Sequence, residues 1–345
     1  MAKPLIIHAG LPKTGTTYLQ QCLAHNAGWL RSNGACYPVL GREFLDGHHN
    51  VARALAGGPE AECWREPGRR AWFQRLLAEA DGATVVLSSE EFSALSPAQI
   101  AELRDACGDV ELRWVLYLRR RSDLLISRWK QNVRSGLTET LPSYVGAECV
   151  GQGDVLRPEL PLTAAVEALG RQALRVVVYE QVTASGEDLF DHFLRAQLGV
   201  ADTRGATRPA DRPNASIPLA TAETLRVLNA AKAAAAGAVD PAWSRRAQER
   251  LQTPGRGRDL VAHVEALLQR HGVAFDVGEV DDLWRSRDFE IVHGCGDSIE
   301  QLQPDGALFP GAAPHVVATL PAGVLQMQLP LAEIRALIAE IDATP

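Results

Sequence analysis

The sequence predicts an α/β fold: a doubly wound parallel sheet flanked by helices on both faces, with a C-terminal extension. Three observations carry this. The front half alternates short apolar strands with helical stretches. The strands are continuous Val/Ile/Leu runs rather than in-out alternations, as strands buried on both faces must be. The segments between them have the length and amphipathic pattern of crossover helices, which only a parallel sheet needs.

Taken in order, residues 4–9 (PLIIHA) read as the first strand and 15–30 (GTTYLQQCLAHNAGWL) as a helix. Residues 83–88 (ATVVLS) read as a second strand, 111–118 (ELRWVLYL) as a third, and 122–135 as the helix after it. Residues 174–179 (LRVVVY) read as a fourth strand, with a helix over about 187–198. Residues 201–214 form a polar loop rich in Pro and Arg. An Ala-rich helix is expected over about 218–237, another over about 258–271 and a last amphipathic one over about 331–342. Residues 303–330 carry several prolines and glycines, and the pattern weakens beyond 275. This divides the chain into a domain over 1–275 and an extension over 276–345 whose role the pattern does not indicate; no internal repeat occurs.

Composition narrows the function. With 345 residues, 46% hydrophobic and 22% charged, the chain has ordinary globular usage. A net charge of −7 argues against non-specific nucleic-acid binding, so positive charge must act locally. Six cysteines at 22, 36, 63, 107, 149 and 295 are scattered without a CxxC pair, which fits reduced thiols rather than a disulfide scaffold or a zinc site. The run Leu5-Ile6-Ile7 is too short for a signal-peptide core, and no run reaches the length of a membrane span. A cytoplasmic location is expected.

The most informative segment is Gly10-Leu11-Pro12-Lys13-Thr14-Gly15-Thr16-Thr17. It follows a buried strand and precedes a helix, where backbone N–H groups and the positive end of the helix dipole attract an anion. Gly15 permits a tight turn, Thr16 and Thr17 offer hydroxyls, and Lys13 supplies a mobile cation. Gly10 and Gly15 have the spacing of the phosphate loop GxxxxGK[ST], but Thr16 stands where a nucleoside-triphosphate enzyme carries its lysine. A second cationic element, Arg119-Arg120-Arg121-Ser122-Asp123, follows the third strand, with Ser122 or Asp123 as helix N-cap. Arg119 sits at the carboxyl end of a strand, and Ser127 lies eight residues on, just over a turn into the following helix. Arg119, Arg120, Arg121, Arg128, Lys130 and Arg134 crowd this stretch. Cations at a helix start oppose its dipole, so an anion there relieves the conflict.

The string HAGLPKTGTTYLQ, with PKTGTT at its centre, resembles the 5′-phosphosulfate loop of sulfotransferases that use 3′-phosphoadenosine-5′-phosphosulfate (PAPS), their bacterial members above all. YLRRRSDLLISRWKQ resembles the element of that superfamily that holds the 3′-phosphate, with Arg121 where many relatives have proline. LRVVVYEQV followed by EDLFDHFLRAQLGV resembles its strand, Tyr-Glu, helix, Leu-Gly unit. The resemblance spans residues 5 to about 200 in the family's order. It implies a P-loop-type α/β fold and a sulfuryl transfer from PAPS, with adenosine 3′,5′-bisphosphate as product. It gives Pro12, Lys13, Thr14, Gly15, Thr16 and Thr17 to the 5′-phosphosulfate, Arg119 and Ser127 to the 3′-phosphate, and Tyr179 to the adenine. RPNASIP adds Asn214 and Ser216 as contacts, with capping of the next helix as the other reading, and Arg256-Gly257-Arg258 is a candidate for the family's late basic-glycine loop.

For the chemistry, Lys13 suits the charge that develops on the leaving phosphate. The base is sought after the second strand, in Ser88-Ser89-Glu90-Glu91: Glu90 first, with Glu91 pointing away. His48 and His49 in DGHHN are the other candidates, and His8 reads as a core residue. No metal-ligand cluster is apparent and none is required. The expected partner is a carbohydrate, lipid or small-molecule acceptor; no nucleic acid and no membrane span are expected, and the oligomeric state is unread. Two rival readings stand beside this one. A P-loop kinase or NTP hydrolase is opposed by Thr16 and by a strand acid missing before Arg119, although Glu180 mimics one. A non-catalytic nucleotide-binding protein keeps the fold and lacks the transfer.

Overall fold

A parallel sheet is the frame of the molecule, and the alternation along its strands sorts the core into two layers. In this computed structural model the described residues are 4–42, 46–57, 68–80, 83–151, 153, 156–209, 216–295, 299–300, 308–309, 315–321, 324 and 328–344. The strands are β1 (Leu5–His8), β2 (Ala35–Cys36), β3 (Thr84–Ser88), β4 (Leu112–Leu118), β5 (Leu174–Val178), β6 (Val273–Asp276), β7 (Ile299–Glu300) and β8 (Val316–Thr319). Six of them form one sheet in the order β2-β3-β1-β4-β5-β7, and every pairing in it is parallel. Leu5 and Ile7, Val85 and Leu87, Trp114 and Leu116, and Val176 pack in one layer with the helices Pro97–Cys107 and Glu159–Leu169. Ile6, Val86, Val115, Tyr117 and Val177 pack in the other with Leu19, Leu23, Phe190 and Phe193. Period-two side chains buried on both faces account for the unbroken apolar runs in the sequence. Between β1 and β4 the strand order reverses, which opens a crevice at the carboxyl ends of these strands.

The chain divides into two compact units. The first is Met1–Arg120, Arg157–Asn214 and Trp284–Gly311, and it holds the whole six-stranded sheet. The second is Arg121–Leu156, Ala215–Leu283 and Ala312–Pro345, built from helices such as Arg121–Arg134, Leu219–Ala236 and Arg256–His271 with the antiparallel pair β6–β8. Both ranges expected from the sequence, 1–275 and 276–345, contribute to both units. From the C-terminal range, Ile299–Glu300 adds β7 to the sheet edge beside β5.

Several local expectations need adjustment. The helix expected over 15–30 is two helices, Thr16–His25 and Ala27–Ser32. Asn26 breaks it: its amide donates to the Cys22 and Thr207 carbonyls, and its side-chain oxygen accepts the Thr207 N–H. A tertiary pairing of this kind outweighs helix propensity. Ser122 and Asp123 lie inside the first turn of the helix Arg121–Arg134 rather than capping it. The cap is Asp281, whose carboxylate accepts the Ser122 N–H (3.1 Å) and hydroxyl (2.6 Å). Thus the chain itself supplies an anion to this helix start. Arg121 is buried, with Nε donating to the Leu156 carbonyl. Arg256-Gly257-Arg258 is the first turn of a helix, not a loop, and Arg256 is ion-paired with Glu333 and Glu340.

Candidate active site

Four adjacent parallel strands deliver the candidate residues to one edge of the sheet. Register fixes this: His8 stands opposite Ser88 of β3 and Val115 of β4, and Leu118 opposite Val178 of β5. The loop bearing Lys13 leaves β1, Glu90 follows β3, Arg119 follows β4 and Tyr179 follows β5.

The loop is tight for reasons visible atom by atom. A Cβ on Gly10 would lie 2.3 Å from the Thr16 hydroxyl oxygen, so only glycine admits that approach. The Thr14 hydroxyl donates to the Leu11 carbonyl at 2.7 Å, closing the turn. Gly15 takes φ +80°, and a Cβ there would lie 2.5 Å from Leu189 Cδ2 and 3.6 Å from Tyr179 Cε2. Lys13 also has a left-handed backbone, φ +68°, the one non-glycine to do so among the described residues. That conformation costs a residue with a Cβ about 1–2 kcal/mol. Arg119 helps to hold it: a guanidinium nitrogen donates to the Lys13 carbonyl at 2.5 Å. The helix Thr16–His25 then starts at Gly15 with no side-chain cap and no acid in its first turn, so neither the cap residue nor the first turn offsets the positive end of its dipole. Pro12 and Thr17 are half-buried, whereas Thr14 and Thr16 are buried, their hydroxyl oxygens 3.4 Å apart.

Arg119, Tyr179 and Glu180 form the neighbouring wall. The Arg119 guanidinium lies over the Tyr179 ring, 5.4 Å from its centroid, and 4.0 Å from the Glu180 carboxylate. Glu180 also accepts the Arg120 N–H at 2.9 Å, which ties the end of β4 to the start of the helix Tyr179–Ala184. Ser127 lies on the helix Arg121–Arg134 of the second unit and is half-buried there. Ser216, also in that unit, accepts from the Lys130 ammonium at 3.4 Å, and Asn214 lies outside the described residues.

On the other side of the loop, Glu90 opens a 3₁₀ turn, Glu90–Ala94. Burial raises its carboxyl above the ordinary carboxylate range, the nearby Lys13 ammonium pulls it back down, and Glu91 adds to the rise. Lys13 and Glu90 therefore feel each other's charge. Glu91 is turned elsewhere, in a fork with Arg53 at 2.7–2.9 Å. His48 does not fit the role of base expected for it. It is 0% exposed, its Nε2 donates to the Pro38 carbonyl (3.1 Å), and its Nδ1 accepts the Ser88 N–H (3.2 Å). Burial lowers its pKa to about 3, so it is a neutral structural ring with both nitrogens engaged. His8 is likewise buried, with Nδ1 2.8 Å from the Ser88 hydroxyl and a pKa lowered to about 3 by burial. His49 is half-buried against the Ser89 hydroxyl, Nδ1 to Oγ 2.9 Å, and burial lowers its pKa.

The sequence reading missed a polar layer beneath these groups. Gln20, four residues after Thr16, is buried and donates to the Ser88 carbonyl and hydroxyl, both at 3.3 Å. Tyr18 donates to Asp188 at 2.8 Å, which fastens the loop helix to the start of Leu189–Ala196. The one available signal for Gln20 was a polar residue between Leu19 and Cys22 on a helix face that must be buried.

Among the described residues no group of three His, Cys, Asp or Glu is placed to hold a metal, and no helix is long and apolar enough to cross a membrane. Cys22, Cys36, Cys107, Cys149 and Cys295 are in no disulfide, and Cys63 lies outside the described residues. No family model matches this chain, and no curated protein matches it. A solved structure described as that of a sulfotransferase from Alicyclobacillus acidocaldarius is similar at 19% identity. The match covers 71% of this chain and 100% of that one, with a TM-score of 0.37.

Proposed function

We propose that the protein transfers a sulfuryl group from PAPS to a hydroxyl or amine of a carbohydrate, lipid or small-molecule acceptor. The observation that carries this reading is the place of the lysine. Lys13 precedes Gly15 and projects from a left-handed turn whose carbonyl is held by Arg119, in electrostatic reach of Glu90. A triphosphate enzyme of this loop type needs its lysine at position 16, which is a buried threonine here.

In this reading the turn Pro12–Thr17 and the uncapped helix start hold the 5′-phosphosulfate, and Lys13 meets charge as it builds on the departing phosphate oxygen. Glu90 takes the proton of the acceptor; burial makes it a stronger base than an exposed carboxylate, and the Lys13 ammonium favours its ionised form. Arg119 has a forked cation for the 3′-phosphate, and the Tyr179 ring offers a flat face to adenine. Ser127 enters only by its spacing from Arg119. PAPS supplies the activated sulfuryl group, which carries less charge than a terminal phosphoryl group and so needs no metal clamp.

Titration calorimetry with adenosine 3′,5′-bisphosphate, with ATP as control, tests the proposal. Binding of the bisphosphate and not ATP is expected, followed by transfer of labelled sulfate from PAPS to an acceptor panel. ATP binding alone would establish the kinase-like reading. Bisphosphate binding with no transfer to any acceptor would make the protein a non-catalytic nucleotide binder.

A further inference from the structure

Ser88 and Ser89 end β3 immediately before Glu90, and three separate segments converge on them. From β1, His8 meets the Ser88 hydroxyl; from the loop helix, Gln20 donates to the Ser88 hydroxyl and carbonyl. From the segment leading into the helix His49–Leu55, His48 donates its N–H to the Ser88 carbonyl (2.7 Å) and accepts the Ser88 N–H on its ring. His49 meets the Ser89 hydroxyl, which in turn accepts the Glu91 N–H at 3.1 Å and so caps the turn that carries Glu90. One point is common to two of these links. A Cβ on Gly47 would lie 2.6 Å from His49 Nε2 and 2.7 Å from Gln20 Nε2, so both side chains close over the same glycine.

We infer that Gln20 and His49, meeting over Gly47, are positioning residues that hold the Glu90 turn in register with the Lys13 loop. Gln20 lies one helical turn beyond Thr16, so its amide is a strut from the lysine loop to the residue two before Glu90. His49 is the matching strut from the far side, and the Glu91–Arg53 fork fastens the same turn to the same helix. The Gln20 strut reaches the end of β3 through its side chain, and on the far side the His49 contact works beside the backbone bond from the His48 N–H to the Ser88 carbonyl, so side chains help to set the gap between cation and carboxylate. Displacement of a reacting group by about 1 Å costs on the order of 100-fold in rate. The inference depends on the sulfotransferase reading only for the role of Glu90 as base.

The test is a cycle read on the Glu90 carboxyl by carbon NMR in glutamate-labelled protein, and it needs no nucleotide. In the wild type, Lys13→Met removes the ammonium that favours ionisation, so the Glu90 midpoint rises. Gly47→Ala pushes only the far ends of two flexible side chains, and Gln20→Leu removes one strut at similar volume; thermal melts verify that each is folded. In either background the rise caused by Lys13→Met is expected to shrink to less than about half. An undiminished rise in both backgrounds would overturn the inference. Where transfer is measurable, Gly47→Ala is expected to lower kcat at least about tenfold with the affinity for adenosine 3′,5′-bisphosphate unchanged. Equal loss of nucleotide affinity would reduce the struts to loop scaffolding. Failure of the wild type to bind the bisphosphate would overturn the sulfotransferase reading while leaving the NMR cycle decisive for the struts.

Discussion

Gly15→Ala separates the two reasons a glycine occupies the end of the lysine loop. The first reason is backbone: at φ +80° a Cβ costs about 1–2 kcal/mol, from which about 0.4–1 kcal/mol is recovered because alanine restricts the unfolded chain. Gly57 has the same φ of +80°, belongs to the same compact unit, and has open space where a Cβ would be. Gly57→Ala therefore isolates the backbone cost, about 1 kcal/mol net. The second reason is the close approach of Leu189 Cδ2 at 2.5 Å, against an ordinary carbon–carbon contact of about 3.5–4.0 Å. Leu189 is buried among Phe190, Phe193 and Val182, so a shift of about 1 Å forces it off its rotamer and adds about 1–2 kcal/mol. Gly15→Ala should then cost about 2–3 kcal/mol in all. Urea unfolding of the two variants beside the wild type measures the difference, and calorimetry with adenosine 3′,5′-bisphosphate should register weaker binding for Gly15→Ala alone. Equal destabilisation by the two alanines, or undiminished nucleotide binding in Gly15→Ala, would refute the claim that the loop is shaped by its contact with Leu189 and Tyr179.

Lys13→Ala should abolish sulfuryl transfer and leave the urea midpoint close to wild type, because the left-handed backbone is equally costly for alanine; retained turnover would remove Lys13 from the mechanism. Arg119→Ala should weaken PAPS more than an analogue lacking the 3′-phosphate, and equal loss for both would contradict the assignment to that phosphate. Glu90→Gln should stop transfer yet raise stability at pH 7.5. The native carboxyl is raised above its unfolded value, so its contribution is present at low pH and lost as pH rises through the native midpoint; the gain of the glutamine should vanish near pH 4, and no gain at pH 7.5 would refute the burial. His8 and His48 act in the opposite sense: their native pKa values of about 3 lie below the unfolded value of 6.5, so stability is lost as pH falls below 6.5. Each should add a slope of about 1.4 kcal/mol per pH unit below 6.5, and urea midpoints that stay flat from pH 7 to 5 would show that neither ring is held neutral in the fold.

The sequence by itself determined the parallel sheet, because strands buried on both faces must be continuously apolar, as Leu5-Ile6-Ile7 and Val176-Val177-Val178 are. It also located the lysine turn and Arg119, because a glycine-spaced turn between strand and helix and a cation at a strand end are local features. What it left open was every question of which side chain faces which. On paper Glu90 came first and Glu91 pointed away, with His48 and His49 as rivals for the same role. Burial and hydrogen bonding sorted them into a buried carboxyl in electrostatic reach of Lys13, an ion pair with Arg53, a neutral ring bound to the backbone and a strut to Ser89. The same holds for Asn26, which ends a helix through Thr207, and for Asp281, which caps a helix that begins at Arg121. These pairings join residues about 40 to 180 positions apart. No local pattern encodes them, since they exist only once parallel strands have brought their carboxyl ends to one edge and a side chain's charge and tautomer respond to the neighbours it finds there.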